Sequence, residues 1–153
     1  MPTEEQLIRE YALAWNELDA DRVISHLSAQ AVYESQNVMM PLRGREAIAE
    51  YLRGKMATIR ATPEAAVRAE LGLCGDQRGA RIRLVSAWPG RPCVLLHQGR
   101  TNEPVALVLL EVAKGEIDRI DLCTVVPSPA SAVRTGHFPR LSDGATEANL
   151  SGL

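Results

Sequence analysis

Two side chains on neighbouring predicted strands have the types needed for a histidine–carboxylate pair. His97 lies at 93–98 in an apolar run, and Asp121 lies in an alternating segment at 117–125. A carboxylate beside an imidazole fixes its tautomer and stabilises its charged form, so the pair can move a proton. The predicted register points both residues outward, which favours an interface salt bridge or a solvated edge over catalysis. A shift of one residue would turn both inward.

The other reactive side chains form no recognisable constellation. The spacing of His, Cys, Asp and Glu does not match that of metal ligands, so we expect no metal site and no cofactor. Three glycines between residues 72 and 79 have the wrong spacing for a phosphate loop and no lysine after them. The three cysteines are odd in number and far apart in the sequence. They indicate buried thiols in a reducing compartment, and hence a cytoplasmic protein.

Composition excludes two classes of partner. The chain has 153 residues, 46% of them hydrophobic, with 17 Lys and Arg against 19 Asp and Glu. A net charge of -2 argues against a nucleic-acid binder, which would carry a basic stripe. No apolar run approaches the roughly 18 residues that span a bilayer, and the acidic N-terminus lacks the layout of a signal peptide. We expect neither nucleic acid nor a membrane as partner.

Hydrophobic periodicity predicts helices within the first 62 residues. Thr3 and Gln6 have the spacing of a capping box at the start of the first helix. Asp19 is predicted to restart the helical pattern as the cap of a short second helix. A third helix is predicted to open near Gly44 and to end at Pro63.

From residue 65 the period changes from 3.6 to 2, which predicts strands at 67–73, 82–86, 93–98, 105–112 and 117–125. A short strand is also predicted at 33–35. Residues 105–110 are apolar at both alternating sets of positions. We therefore expect both faces of that strand to be covered.

The turn at Lys114-Gly115 predicts the register of the last hairpin. Val112 should pair with Ile117, and the same register carried along the strands places two leucines of 105–112 inward. The predicted pairs are Leu109 with Ile120 and Leu107 with Leu122. The alternate residues then form an apolar outer face, namely Ala106, Val108 and Leu110.

Helices followed by an antiparallel sheet predict an α+β fold. Residues 1–126 are expected to form one domain. Residues 127–153 are rich in Pro, Gly, Ser, Thr and Ala, which predicts a tail that is extended or partly disordered, either loosely ordered or laid over a neighbouring surface.

The segment from Tyr11 to Leu52 resembles the opening of the nuclear transport factor 2-like superfamily, and within it ketosteroid isomerases and SnoaL-like polyketide cyclases. The resemblance lies in an aromatic residue on the first helix, the Asp19-Ala20-Asp21 restart, a strand ending in Tyr33-Glu34-Ser35, and the motif at 42–48. The later turn at 114–117 also matches. The resemblance implies a cone, in which three helices close one side of a strongly curved antiparallel sheet around an apolar pocket. It also implies that the outer sheet face often forms a dimer.

Ketosteroid isomerases use three polar groups in that pocket, and the resemblance assigns each a position here. Tyr11 falls on the tyrosine that donates a hydrogen bond to the enolate. The proton-transferring carboxylate is replaced by Ser35, which needs a base to activate it. The second acid falls on Val108 or Leu109, both aliphatic. We therefore name Tyr11 and Ser35 as candidate catalytic residues but expect no ketosteroid isomerase activity.

Two functions stay open at this point. The first is a pocket that binds or acts on a lipophilic polycyclic ligand, with enzymatic turnover undecided. The second is a non-catalytic homodimeric module that associates through its outer sheet face. For the first, the expected ligand-binding residues are Trp15, Met56, Leu96, Gln98, Leu107, Leu109, Ile120, Leu122 and Thr124.

Overall fold

Three helices pack against one face of a curved sheet in the computed structural model, which describes residues 1–37, 40–76 and 86–142. The helices are α1 (Glu4–Glu17), α2 (Asp21–Ile24) and α3 (Arg45–Ala61). The described strands are β1 (Leu27–Ser35), β2 (Leu42–Arg43), β3 (Val67–Leu73), β4 (Pro92–Gln98), β5 (Ala106–Ala113), β6 (Glu116–Cys123) and β7 (Val133–His137). Within the described ranges, no helix is both long and apolar enough to cross a bilayer.

The ends of the helices follow from local sequence. Thr3 Oγ1 accepts a hydrogen bond from the Gln6 N–H at 3.2 Å, and Gln6 Oε1 accepts one from the Thr3 N–H at 2.8 Å, which confirms the predicted capping box. Helix α1 ends where Leu18 takes a positive φ of 52°. Helix α3 ends just before Thr62, the residue ahead of Pro63, because a residue before proline is disfavoured in helical geometry.

The sheet is mixed rather than wholly antiparallel. Its order is β2-β1-β6-β5-β4-β3-β7, and β1 runs parallel to β6 while the other neighbours are antiparallel. The expectation of antiparallel pairing throughout is therefore wrong for one pair of strands, β1 and β6. Short turns force antiparallel pairing, but β1 and β6 are far apart in the chain, so no turn sets their relative direction. The α+β architecture itself is confirmed.

A β-bulge between Glu111 and Val112 changes the register of the last hairpin. Val112 pairs with Ile117 as predicted, but beyond the bulge each partner is displaced by one residue. Leu109 therefore lies opposite Asp121, and Leu107 lies opposite Cys123. An extra residue on one strand of a pair reverses the face of every residue after it.

The bulge reverses the predicted faces of β5. Ala106, Val108 and Leu110 belong to the core between sheet and helices, not to an exposed dimer face. Leu107 and Leu109 belong instead to a second apolar cluster on the outer face, so the prediction that they line the pocket is wrong. The inward orientation predicted for Ile120, Leu122 and Leu96 is correct, since these residues belong to or pack against the inner core.

The outer face of β4 and β5 is covered by the chain itself. Leu107 and Leu109 are 0% and 1% exposed, packed with Leu95, Ala87 and the partly buried Ala132. This confirms that both faces of β5 are covered. All three cysteines are free, as predicted, and buried in the same outer cluster: Cys74, Cys93 and Cys123. Formation of a homodimer stays a prediction. Its interface cannot consist of Ala106, Val108 and Leu110 as expected, because these residues are buried within one chain.

Part of the segment predicted as a tail belongs to the sheet. Residues 133–137 form β7, which pairs antiparallel with β3. The chain then returns to α1, where Asn16 Nδ2 donates to the Pro139 carbonyl at 2.9 Å and Glu17 Oε1 accepts from the Leu141 N–H at 2.8 Å. The strand predicted at 82–86 lies outside the described residues except for Ser86.

Candidate ligand-binding cavity

A cavity of about 300 Å³ lies between the inner face of the sheet and helices α1 and α3. Strand β1 supplies one wall, α3 a second, and the adjoining ends of β4, β5 and β6 a third. The described lining residues are Trp15, Tyr33, Ser35, Asn37, Tyr51, Lys55, Val67, Leu96, His97, Gln98, Val105, Ala106, Leu122 and Thr124.

Aromatic rings form one side of this cavity. The rings of Tyr33 and Tyr51 are tilted, with their centroids 5.1 Å apart. Trp15 lines the cavity, and its Nε1 is buried without a hydrogen-bond partner among the described residues. Tyr11 lies behind it, with ring centroids 6.4 Å apart. The cavity therefore offers flat apolar surfaces on this side.

Two of the tyrosines near the cavity, Tyr11 and Tyr33, remain protonated at neutral pH. Burial raises the pKa of Tyr11 well above its usual range, although the neighbouring Trp15 acts in the opposite direction. Burial also raises the pKa of Tyr33, and the nearby Tyr11 and Tyr51 add to this. Near neutral pH these phenols can donate a hydrogen bond but cannot take up a proton.

A short polar network closes the end of the cavity where β1 and β6 finish. Ser35 Oγ accepts from the Asn37 N–H at 3.3 Å, and the Thr124 hydroxyl donates to Asn37 Oδ1 at 3.0 Å. Gln36 Oε1 accepts from the N–H groups of Thr124 and Val125 at 2.8 and 2.7 Å. This amide joins the end of β1 to the segment after β6 and so fixes the polar end of the cavity.

The structure brings together six of the residues that the sequence assigned to the site. Ser35, Trp15, Leu96, Gln98, Leu122 and Thr124 all line the cavity. Met56 and Ile120 are buried in the inner core and are not among the lining residues. Leu107 and Leu109 lie on the opposite face of the sheet, for the reason given above.

Tyr11 is 0% exposed and is absent from the cavity lining. Its hydroxyl has no hydrogen-bond partner among the described residues. A role for this hydroxyl in ligand binding stays a prediction, because Trp15 and not Tyr11 is among the residues that line the cavity.

Several lining residues were not assigned to the site from the sequence. Tyr51 and Lys55 are four residues apart on α3, so they share one helix face, and Tyr33 alternates with Ser35 on β1. These spacings were available in the sequence. The contribution of Val105 and Ala106 was not, because the orientation of this strand follows from the bulge in the β5–β6 pairing, in which Asp118 of β6 is the extra residue.

The predicted pair of His97 and Asp121 does not form, because each side chain has another partner on the outer side of the sheet, although His97 also contributes to the cavity lining. His97 Nε2 lies 2.8 Å from Glu70 Oε1, and both side chains are 0% exposed. Glu70 also accepts from Arg134 Nε at 2.9 Å and from the Gly136 N–H at 2.7 Å. Asp121 instead pairs with Arg119 at 2.8 Å. The expectation of a solvated edge at His97 is wrong, because β7 and the residue after it cover this position.

A wider and more open groove of about 790 Å³ lies between the end of α1, α2 and α3. Its charged side chains are largely engaged with protein groups: Arg53 pairs with Asp21 at 2.9 Å, and Arg60 donates to the Leu18 carbonyl at 2.7 Å. The smaller cavity inside the cone is the better candidate, because it is more enclosed and less polar.

Solved structures with the same architecture are found at low sequence identity. A SnoaL-like protein of unknown function from Burkholderia thailandensis has a TM-score of 0.52 and 18% identity, over 78% of this chain and 92% of that one. A candidate polyketide cyclase from Sinorhizobium meliloti has a TM-score of 0.50 and 18% identity, over 80% and 95%. A candidate ketosteroid isomerase from Kribbella flavida has a TM-score of 0.50 and 14% identity, over 78% and 75%. No family model and no curated protein matches the chain.

The chain has the nuclear transport factor 2-like fold. This confirms the resemblance drawn from the sequence at the level of the fold. Identities of 14–18% establish only the architecture, since one fold carries many chemistries. Function therefore has to be argued from the cavity.

Proposed function

We propose that the protein binds a small, largely apolar ring compound in the cavity of its nuclear transport factor 2-like fold. The observation that supports this proposal is the composition of the cavity wall, which combines three aromatic side chains with aliphatic residues and a few fixed polar groups. This composition is typical of small-molecule sites, in which apolar surface supplies affinity and isolated polar groups orient the ligand.

The volume limits the size of the ligand. An apolar cavity of roughly 150 Å³ in another protein holds benzene, and this one has about 300 Å³. The proposal is therefore a compound of about two rings, at the small end of the polycyclic ligands expected from the sequence. About ten non-hydrogen atoms at roughly 0.5 kcal/mol each correspond to a Kd on the order of 0.1–0.3 mM.

The cavity does not favour the isomerase reaction. The sequence resemblance assigns Ser35 to the position of the proton-transferring carboxylate, and the described lining contains neither Asp nor Glu. A serine hydroxyl does not shuttle protons near neutral pH without a base beside it. Binding requires no such pair, so we propose a binding function without ketosteroid isomerase turnover.

Tryptophan fluorescence tests the proposal directly. The chain has two tryptophans, of which Trp15 lines the cavity and Trp88 is 53% exposed elsewhere. In a Trp88→Phe background the remaining indole reports on the cavity alone. Titration with the neutral two-ring amide 2-naphthamide should change the emission with saturation in the sub-millimolar range and raise the Tm.

Two matched substitutions on β5 serve as controls. Ala106→Leu fills the cavity, because Ala106 is a buried lining residue, whereas Ala113→Leu adds the same atoms at an exposed position. The first should abolish the titration and the second should leave it intact. The proposal fails if no emission change saturates below about 5 mM, or if Ala106→Leu binds as the parent does while remaining folded by circular dichroism.

We also propose that the protein is cytoplasmic and forms a homodimer. Three free, buried thiols suit a reducing compartment such as the cytoplasm, in which cysteines are kept reduced. Gel filtration with light scattering would decide whether the chain is a homodimer.

A further inference from the structure

The described lining of the cavity is asymmetric in charge. Lys55 is the sole lysine or arginine among these residues, and no aspartate or glutamate is found among them. The Lys55 ammonium has no hydrogen-bond or ion-pair partner within the described chain. It stands at the edge that the cavity shares with an adjoining depression, which Glu50 lines. The cavity therefore presents a positive charge at its edge and no carboxylate among its described lining residues.

The neutral polar groups of the cavity are biased towards donors. Trp15 Nε1 is buried and has no acceptor among the described residues. Ser35 Oγ already accepts from the Asn37 N–H, so its own hydrogen remains free to donate. Asn37 Oδ1 accepts from Thr124, which leaves the two hydrogens of its side-chain nitrogen available. A ligand that fits this cavity should bring acceptors rather than donors.

We propose that the ligand is an amphipathic anion: an apolar two-ring body that carries a carboxylate, held beside Lys55. This inference rests on the proposed function, since it names the chemical class bound at the same cavity. The rings would lie between the aromatic wall of Trp15 and Tyr33 and the aliphatic residues of the sheet. The carboxylate would replace the water around an exposed ammonium and accept from nearby donors.

The expected preference for the anion is modest. Lys55 is exposed, so its attraction to a carboxylate about 4 Å away acts through a water-like dielectric. This corresponds to roughly three- to tenfold tighter binding than for a neutral ligand of the same shape. Because solvent-exposed charges are screened, the preference should fall towards unity in high salt.

The test compares 2-naphthoate with 2-naphthamide, which share the same rings and differ by one charge. Trp15 fluorescence in the Trp88→Phe background gives both dissociation constants at low and high salt. Lys55→Gln should remove the preference for naphthoate over naphthamide, and Lys55→Arg should retain that preference. Lys114→Gln is the matched control, because it removes the same charge from the turn between β5 and β6.

The outcomes separate this inference from the proposed function. Tighter binding of naphthoate that depends on Lys55 supports both. Equal binding of the two probes, unchanged in Lys55→Gln, overturns the anion inference and leaves the binding function standing. Binding of neither probe overturns the proposed function, and this inference with it.

Discussion

Replacement of Glu70 by glutamine should destabilise the protein strongly, although the residue lies on the face of β3 that alternation marks as polar. The carboxylate is fully buried and takes part in hydrogen bonds with His97 Nε2, Arg134 Nε and the Gly136 N–H. Glu70 thus links β3 to β4 on one side and to β7 on the other.

The magnitude follows from burial. Removing one partner of a buried charged pair costs about 3–5 kcal/mol, because the remaining polar groups stay out of water without compensation. Glutamine keeps the shape and one acceptor oxygen, and Arg134 retains its bond to the Asn102 carbonyl at 2.7 Å. For Glu70→Gln we therefore expect a loss of about 2–3 kcal/mol in the free energy of unfolding at pH 7.

The same contacts predict how this loss depends on pH. Burial alone would raise the pKa of Glu70, but the hydrogen bonds from His97, Gly136 and Arg134 outweigh it, and the pKa is lowered. A lowered folded-state pKa stabilises the protein above the unfolded value of about 4.3 and ceases to do so as the pH falls through the folded value. The difference between wild type and Glu70→Gln should therefore narrow below about pH 4.

Urea unfolding followed by circular dichroism at several pH values between 3 and 7 measures this effect. Glu111→Gln is the matched control, because Glu111 is exposed on β5 and its loss should change stability by less than about 0.5 kcal/mol. The reasoning is refuted if Glu70→Gln matches wild type at pH 7. It is also refuted if its deficit is the same at pH 3 as at pH 7.

Three further substitutions test other parts of the structure. Tyr11→Phe should leave stability unchanged or raise it by about 1 kcal/mol in urea unfolding, since its buried hydroxyl has no partner among the described residues, and a loss above 1 kcal/mol would show that the hydroxyl is bonded. Leu109→Glu should unfold the protein rather than alter its oligomeric state, because Leu109 is 1% exposed within one chain, and a folded variant of changed size in gel filtration would contradict this. Gly75→Ala should lower the Tm by several degrees, because a Cβ would lie 1.9 Å from the Ser131 carbonyl oxygen, and an unchanged Tm would disprove that contact.

Local sequence was sufficient to predict the helices and most strands. The Thr3 capping box and the apolar stripe of α3 depend on residues within a few positions of one another, so they are visible in the sequence. The resemblance of residues 11–52 supplied the cone and the placement of Ser35 and Trp15 in its cavity. It could not supply Lys55, which adds a charge at the edge of an otherwise neutral wall.

The orientation of β5 required the tertiary structure. Residues 106–110 are apolar at every position, so no hydrophobic contrast distinguishes the inner face from the outer. The register then depends on the bulge opposite Glu111 and Val112. The residue types in this hairpin do not indicate that a bulge forms there. The extra residue in the bulge places Val108 and Leu110 on the inner face of the sheet and Leu107 and Leu109 on the outer face, which is the reverse of the predicted arrangement.

The sequence by itself determined the periodicities, the helix cap and the presence of a serine at position 35, because each depends on residue type or on near neighbours. Only the tertiary structure decided that Glu70 and His97 are buried partners. Alternation placed both on the outward face, but burial there depends on β7, which follows β3 by about 60 residues. Whether a polar face meets water or another strand is set by the distant segment that covers it.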